Sequence, residues 1–565
     1  MPADLIKGMS PLQKFRFQYK PRVPSNLKDI ALITAVPDVT SLEPDVDSTQ
    51  KTVLKEVFKK TYGKPVIHLS AKGSGSKQDR KPIRASVVLS GGQAPGGHDV
   101  IAGIFDALRS VSPSSELIGF LGGPSGILND QKKTLSEDII NAYRNTGGFD
   151  ILGSGRTKIE KPEDIARCQE ILEKNKIDAL IIIGGDDSNT NAAMLAEHLN
   201  SRGSPVLVIG VPKTIDGDLK NKFVDISFGF DTASKVYSEL IGNIAKDSLS
   251  AKKYYHFIRL MGRAASHITL EAALQTHPNV ALISEELAHR KVTIRELVED
   301  IGKIVIKRAD LGKNFGVILL PEGLIEFLPE VKTLLQELNH VLAEHHEYVN
   351  TLRGFTEQSE YINQKLSRDS SYTFSGLPID IQRQLLMDRD PHGNVQVSQI
   401  ETEKLIIEML ETYLGEQKAE GRYKGKFAYQ RHFLGYEGRC AAPTNFDTDY
   451  SYSLGRTAVA LILAKANGYM TVVKNLAKNR DQWEALGVPL TGMMNLESRH
   501  GKQKPVIKKS LVSLDGSPFL LFAHEREKWA LEDDFRFPGA IQYFGPPEVS
   551  DLPPISVTLE TTEDR

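Results

Sequence analysis

The chain has 565 residues and a formal net charge of −2. That length exceeds one ordinary core, so two or more domains are expected, and the near-neutral charge excludes a general nucleic-acid binder, which needs a basic surface. Two cysteines, Cys168 and Cys440, exclude a disulfide framework and suit a reducing cytosol.

Along the chain, residues 1–80 read as a polar N-terminal extension with scattered helix-like stretches. The opening MPADLIKGMSPLQKF lacks the apolar core of a secretory signal. The extension closes on SAKGSGSKQDRKP (70–82), a linker or mobile loop. The pattern then changes. IRASVVLS (83–90) is a short apolar strand, GGQAPGG (91–97) a glycine loop, and HDVIAGIFDAL (98–108) sets Val100, Ile101, Ile104, Phe105 and Leu108 on one helical face. Strand and helix recur at IDALIII (177–183) and NAAMLAEHL (191–199), and PVLVIGV (205–211) is a further strand. This alternation predicts βαβ units and a parallel sheet covered on both faces. NFGVILL (314–320) opens a second such unit.

LPEVKTLLQELNHVLAEHHEYV (328–349) is long and helical, and few strand signals follow before about residue 427. Residues 331–429 are therefore expected to be a mostly helical insertion. His340, His345 and His346 within it do not line one helical face, so they read as solvated side chains rather than metal ligands. No apolar run is long enough to span a bilayer. The expectation is a soluble cytoplasmic protein with neither nucleic-acid nor membrane partners. The fold class is α/β: two Rossmann-like parallel-sheet domains, the helical insertion and the N-terminal extension.

In open parallel sheets, ligands bind where strands end at their carboxyl termini. Each chemically suggestive cluster follows an apolar run. SGGQAPGG lets backbone N–H groups approach an anion ahead of a helix N-terminus. It has no Gly-Lys-Ser/Thr and does not fit the dinucleotide fingerprint, so alone it is equally compatible with a tight turn. In GGDDSNT (184–190), Ser188, Asn189 and Thr190 are candidate helix caps. Asp186 and Asp187 suit a helix N-terminus, but two adjacent carboxylates flush against two glycines also suit a divalent cation such as Mg²⁺. PKTIDGDL (212–219) offers Lys213, Asp216 and Asp218: one cation and two spaced carboxylates, enough for a base and an electrostatic clamp. LMGRAASH (260–267) offers Arg263, whose guanidinium fork matches phosphate oxygens. RHFLGYEGRC (431–440) adds Arg439 beside Tyr436. Glycine loops, several cations and an acidic magnesium-type site describe phosphoryl transfer.

GGQAPGG, LGSGR (152–156), GGDDS, PKTIDGD, GFDTA (229–233), MGR (261–263), PEG (321–323) and GYEGR (435–439) occur in this order. As a set they resemble the phosphofructokinase family from about residue 84 to 460, and their variants look like its pyrophosphate-dependent branch in the long form. ATP-dependent members usually carry glycine where this chain has Asp187, and a small residue where it has Lys213. A carboxylate at 187 would occupy and oppose the place of a nucleotide's inner phosphate, and a lysine at 213 suits compact pyrophosphate.

The resemblance implies a reversible, Mg²⁺-dependent transfer from pyrophosphate to the 1-hydroxyl of fructose 6-phosphate, in glycolysis and gluconeogenesis. Asp186 then resembles the metal-linked residue, Asp216 the general base and Asp218 its supporting carboxylate. Gly92, Arg156 and Lys213 resemble pyrophosphate contacts. Thr214, Ile215, Asp216, Met261, Gly262, Arg263, Glu322, Tyr436, Glu437, Gly438 and Arg439 resemble sugar-phosphate contacts. Lys253 and Tyr254 look like contacts supplied across the interface of a homodimer. The implied domains are a pyrophosphate and Mg²⁺ domain (81–250), a fructose 6-phosphate domain (251–330 and 430–520), the insertion and a C-terminal segment (521–565). Two other readings stand beside this one: an ATP-dependent phosphofructokinase, opposed by Asp187 and Lys213, and a non-catalytic regulatory subunit, opposed by the intact Asp186, Lys213, Asp216 and Arg263.

Overall fold

The structure, a computed structural model, describes residues 13, 16–71, 81–349, 351–386, 400–499, 502–540, 547 and 551–561. Residues 72–80 of the expected linker lie outside the described residues. The strands are β1 (Ile33–Ser41), β2 (Pro65–Ala71), β3 (Arg84–Leu89), β4 (Glu116–Phe120), β5 (Lys132–Thr134), β6 (Ala179–Gly184), β7 (Leu207–Pro212), β8 (Tyr255–Leu260), β9 (Val280–Ala281), β10 (Gly316–Pro321), β11 (Tyr429–Leu434), β12 (Tyr469–Lys474), β13 (Glu484–Pro489), β14 (Met494–Arg499) and β15 (Lys502–Ile507). The chain packs as two units.

The first unit comprises Met1–Val236, Tyr436–Ser510 and Ile541–Arg565. Its main sheet runs β1-β2-β13-β12-β7-β6-β3-β4-β5. The five central strands, β12-β7-β6-β3-β4, are parallel, and β13, β2, β1 and β5 join antiparallel at the two sides. β6 is buried along its whole length, and β3 and β7 are buried beyond their first residues. That is why they read as unbroken apolar runs rather than as alternating ones. Helix α1 (Gly97–Val111) follows β3 and α2 (Asp186–Ser201) follows β6. The apolar positions expected on α1 are all buried. One core forms around Val88, Leu180, Ile182, Val208, Met470, Val472 and Val488.

Two expectations change here. The polar extension contains β1 and β2, which lengthen the sheet. β1 holds Pro37 and is exposed over most of its length, so it carries little apolar signal. Residues before it are tied down by polar anchors instead. Arg16 donates to Asn445 Oδ1, Pro443 O and Thr448 Oγ1, each at 2.6 Å, while Arg22 and Arg480 both pair with buried Asp449. The segment 436–510, expected with the fructose 6-phosphate domain, packs in the first unit because β12 pairs with β7 and β13 with β2.

The second unit comprises Tyr237–Gly435 and Leu511–Ala540. Its sheet, β11-β8-β10-β9, is wholly parallel. Between β10 and β11 lie α3 (Pro329–Val349), α4 (Phe355–Lys365), α5 (Arg368–Gly376), α6 (Ile379–Leu386) and α7 (Thr402–Ala419). Their apolar faces share a core with β8 and β10 through Phe257, Ile318, Leu338, Phe374 and Leu410. His340 pairs with Glu344 and His345 meets Tyr361, while the His346 side chain lies outside the described residues. Among the described residues no three His, Cys, Asp or Glu side chains are arranged to hold a metal ion, and no helix is long and apolar enough to cross a membrane. Both cysteines are free thiols, and burial pushes Cys168 up to about 12.

Candidate active site

In the first unit, β3, β6 and β7 end side by side and each runs into a motif loop. Backbone bonds hold these loops together. Ser90 N donates to Ile183 O at 2.8 Å, Gly91 N to Gly155 O at 2.9 Å and Lys213 N to Gly184 O at 2.9 Å. The GGQAPGG, LGSGR, GGDDS and PKTIDGD loops therefore meet at one edge.

Helix α2 begins at Asp186, with Gly185 as its N-cap and no side-chain cap. The capping expected of Ser188, Asn189 and Thr190 does not occur, because all three lie inside the helix. Their side chains stitch the neighbouring loops instead. Ser188 Oγ donates to Ser90 Oγ at 2.8 Å, and Asn189 Nδ2 donates to Gly184 O at 2.7 Å. Asp186 and Asp187 thus stand in the first turn with the helix dipole beneath them. Asp187 pairs with Lys158 at 3.2 Å.

Lys213 is buried at the end of β7. Its pKa is pulled down to about 8 by burial and then by Arg439, against the attraction of Asp216 and Asp186. Thr214 Oγ1 accepts from Asp216 N at 3.1 Å, which braces the Thr-Ile-Asp-Gly-Asp turn, and Gly217 supplies the positive φ that turn needs. Ile215 is buried behind it and Asp216 is half-buried. Asp218 is buried, and its pKa rises to about 7 through burial and then the Asp216 charge, with Lys509 opposing.

Arg439 belongs to a four-residue helix, Tyr436–Arg439, that also carries Glu437 and Gly438. Its Nε donates to Gln93 O at 3.2 Å. A Cβ on Gly92 would lie 1.4 Å from Arg439 Nη2, so the guanidinium fills the cradle that this glycine leaves open. Arg156 is exposed on its loop, while its charge still reaches Lys213. Tyr436 is 65% exposed and lies beneath the Arg439 guanidinium.

Sequence reasoning missed Lys509, which follows β15. Its Nζ lies 3.3 Å from Asp186 Oδ2 and 3.9 Å from Asp218 Oδ2. Burial opposes its charge, but Asp186 and Asp218 outweigh that and raise its pKa. No local motif marks Lys509, because its partners are brought to it by tertiary packing alone.

In the second unit, β8 delivers Met261, Gly262 and Arg263. Met261 is buried and Arg263 exposed, and Gly262 has a φ of 132°, open to glycine. Glu322 is buried and accepts from Gly262 N at 3.3 Å, while its own N donates to Leu260 O at 2.9 Å. A Cβ on Gly323 would meet Arg263 O at 2.0 Å, so only glycine lets the Pro-Glu-Gly and Met-Gly-Arg loops close on each other. Lys253 and Tyr254 precede β8. Six residues of strand, about 20 Å, separate them from Met261–Arg263 at the other end. Arg259, also unanticipated, pairs with Glu403 at 2.9 Å and donates to Ile400 O at 2.9 Å, tying α7 to β8 just before this loop.

A family model described as Phosphofructokinase matches residues 84–462. The chain belongs to the phosphofructokinase family. It is 50% identical over 562 residues to the pyrophosphate–fructose 6-phosphate 1-phosphotransferase of Treponema pallidum (strain Nichols), covering 98% of this chain and 97% of that one. It is 49% identical over 554 residues to the protein of the same name from Porphyromonas gingivalis, covering 98% and 99%. Among solved structures, the pyrophosphate-dependent phosphofructokinase of Marinobacter aquaeolei superposes with a TM-score of 0.51 at 18% identity, over 84% of this chain and 96% of that one, which establishes the shared fold. The span of this phosphofructokinase that the family model matches holds every motif residue described above but ends before Lys509.

Proposed function

We propose that this phosphofructokinase transfers a phosphoryl group reversibly from pyrophosphate to the 1-hydroxyl of fructose 6-phosphate, giving fructose 1,6-bisphosphate and phosphate. The observation that carries this is the 50% identity to a relative named for that reaction, over 98% of the chain. The gathering of Lys213, Arg156 and Arg439 with Asp216 and Asp186 in one unit supports it. These cations suit a small, densely charged donor, because charge-assisted contacts to phosphate are the strong ones.

A divalent cation is expected for a phosphotransferase of this family, and we take it to be Mg²⁺. Asp186 fits the ion: it is a hard oxygen donor in the first turn of α2 and is not fully buried. One carboxylate completed by donor phosphate oxygens is a usual Mg²⁺ arrangement. Bound there, the ion would neutralise donor charge. Gly92, Arg156 and Lys213 hold the pyrophosphate, and Asp187 takes the room a nucleotide would need. Asp216 removes the proton of the sugar 1-hydroxyl as the new bond forms, and Asp218 supports it. The sugar-phosphate contacts proposed in the second unit are Met261, Gly262, Arg263 and Glu322, and those proposed in the first are Thr214, Ile215, Tyr436, Glu437, Gly438 and Arg439. Arg263 also offsets charge on the moving group. In-line transfer needs positioning and charge, and no covalent intermediate.

Lys253 and Tyr254 serve the neighbouring copy of a homodimer. What supports this is the length of β8, which keeps them from Met261–Arg263 of their own chain. The cytosol is the proposed compartment, in keeping with two free thiols.

The test is turnover by the chain purified alone with fructose 6-phosphate and Mg²⁺, comparing pyrophosphate with ATP. Fructose 1,6-bisphosphate should form with pyrophosphate and far more slowly with ATP. An inactive chain favours the regulatory-subunit reading, and an ATP preference removes the donor assignment.

A further inference from the structure

We propose that Lys509 is a donor-binding residue of the active site, presenting a fixed ammonium to the phosphate oxygens of pyrophosphate from between Asp186 and Asp218. The proposal rests on the pyrophosphate reading above. Lys509 lies 3.3 Å from Asp186 Oδ2 and 3.9 Å from Asp218 Oδ2, so one cation bridges the two motif loops that follow β6 and β7.

This lysine is held in place on both sides. Ile507 N donates to Thr190 Oγ1 at 3.0 Å, and Thr190 stands one turn after Asp186 on α2. Lys508 N donates to Met493 O at 2.9 Å and Ser510 N to Asp218 O at 2.7 Å. The backbone around Lys509 is thus bonded to the two elements whose carboxylates its side chain meets. Solvated lysines keep long stems free, because fixing one costs rotamer entropy. Here the strand hairpin β14–β15 and its bonds have already fixed the backbone.

The chemistry favours a ligand role over a plain ion pair. An ammonium carries three donors and no acceptor; Asp186 takes one at 3.3 Å, while Asp218 at 3.9 Å is an ion-pair neighbour outside hydrogen-bond reach. The side chain retains 31% exposure, which leaves it open to an incoming oxygen. A highly anionic donor also has to approach Asp186, Asp216 and Asp218, and like charges raise the cost of that approach. A cation among them lowers it. Lys213 and Arg156 supply charge from the β3 and β7 side. Lys509 supplies it between the two carboxylates themselves, from a segment beyond the matched family span.

The experiment uses the full chain carrying Lys509→Met, Lys509→Gln or Lys509→Arg. Pyrophosphate binding is measured calorimetrically with Mg²⁺ and no sugar, alongside steady-state kinetics and thermal melting. Loss of a charge-assisted contact predicts a rise of about 10–100-fold in both Kd and KM for pyrophosphate with Lys509→Met. The KM for fructose 6-phosphate should stay within about two-fold, the melt should be retained, and Lys509→Arg should recover most of the affinity. Should Lys509→Met fail to fold, Lys509→Gln, which keeps a donor, is read by the same titration. Wild-type affinity in the neutral variants overturns the role of Lys509 while leaving the pyrophosphate reading intact. Equal weakening of both substrates, or a fall in kcat alone, also overturns it and makes Lys509 a structural tie. Wild-type protein that neither binds nor uses pyrophosphate removes both readings together.

Discussion

Gly92→Ala is a one-carbon perturbation whose consequence can be worked from geometry. Gly92 is not among the positive-φ glycines, so alanine meets no backbone penalty there. The new Cβ would lie 1.4 Å from Arg439 Nη2, 2.5 Å from Cζ and 3.0 Å from Nε. Non-bonded heavy atoms need roughly 3.5 Å, so the guanidinium has to move by about 2 Å. It is the far end of a flexible side chain, and the fold should let it go. Stability then loses the bond to Gln93 O, worth about 1 kcal/mol, and the exposed contact with the Tyr436 ring, worth about 0.5–1 kcal/mol. If the displaced guanidinium contacts a substrate phosphate, the loss in binding is about 1.5–3 kcal/mol, or roughly 10–150-fold. The assay is kcat/KM for each substrate in wild type, Gly92→Ala, Arg439→Ala and the double variant. Both singles should fall alike, and the double should be no worse than either, since each removes the same contact. The substrate whose KM rises tells whether Arg439 serves the donor or the sugar. Near-wild-type kinetics for Gly92→Ala, or additive losses, would refute the reasoning.

Three further outcomes are expected. Asp216→Ala should lower kcat by about 10²–10⁴-fold, the usual worth of a positioned base, while calorimetry still detects fructose 6-phosphate binding; an ordinary kcat removes Asp216 from that role. Asp187→Gly should gain weak ATP use, lose pyrophosphate efficiency and melt nearly as wild type, because the broken Lys158 pair is half-exposed and worth at most about 1 kcal/mol. Pairing it with Lys213→Gly should shift the donor ratio further, and a ratio constant across the four variants places donor choice elsewhere. Asp99 is buried and its pKa is raised to about 7 by burial, so the folded state holds its proton more tightly than the unfolded state, whose value is 3.8. Its stabilising contribution is full below 3.8 and is lost as pH rises through about 7. Asp99→Asn should therefore show a flatter melting temperature between pH 5 and 8 than wild type, and parallel curves would argue against the shift.

The parts of the fold that were legible are those whose burial is uniform. β3, β6, β7 and β10 are covered on both faces and announce themselves as apolar runs with glycine-rich exits. β1 escaped because an edge strand is polar on its open side and because it contains a proline; β2 is interior, and only its ladders to β1 and β13 place it in this sheet. Arg16 and Arg22 lie in the segment that reads as a polar extension. Arg16 is in fact buried, because Asn445, Thr448 and the Pro443 carbonyl satisfy its guanidinium, and Asp449 meets Arg22. A charge in sequence does not say whether its partner waits several hundred residues away. The strands of 436–510 were misplaced for a related reason: their local pattern says strand, and only the ladders to β7 and β2 say which sheet.

The site shows the same division more sharply. Loops at the ends of parallel strands converge whatever their sequence, so motif residues sited there could be collected by position alone. The gathering of Lys213, Asp216, Asp218, Asp186 and Gly92 at one edge was legible on that principle. What position alone omits is how their charges are balanced. Read from the motifs, Asp187 opposes a nucleotide by both its bulk and its charge. In the folded chain Lys158 meets it at 3.2 Å, which weakens the electrostatic half and leaves its bulk as the firmer argument. Lys509 likewise enters between Asp186 and Asp218. Neither lysine lies within the motifs that the sequence reading singled out. Such lysines offset the charge of several carboxylates gathered at one edge. Charge balance is therefore where a sequence reading of this site falls short, and substitutions at Lys158 and Lys509 probe it more directly than further substitutions in the motifs.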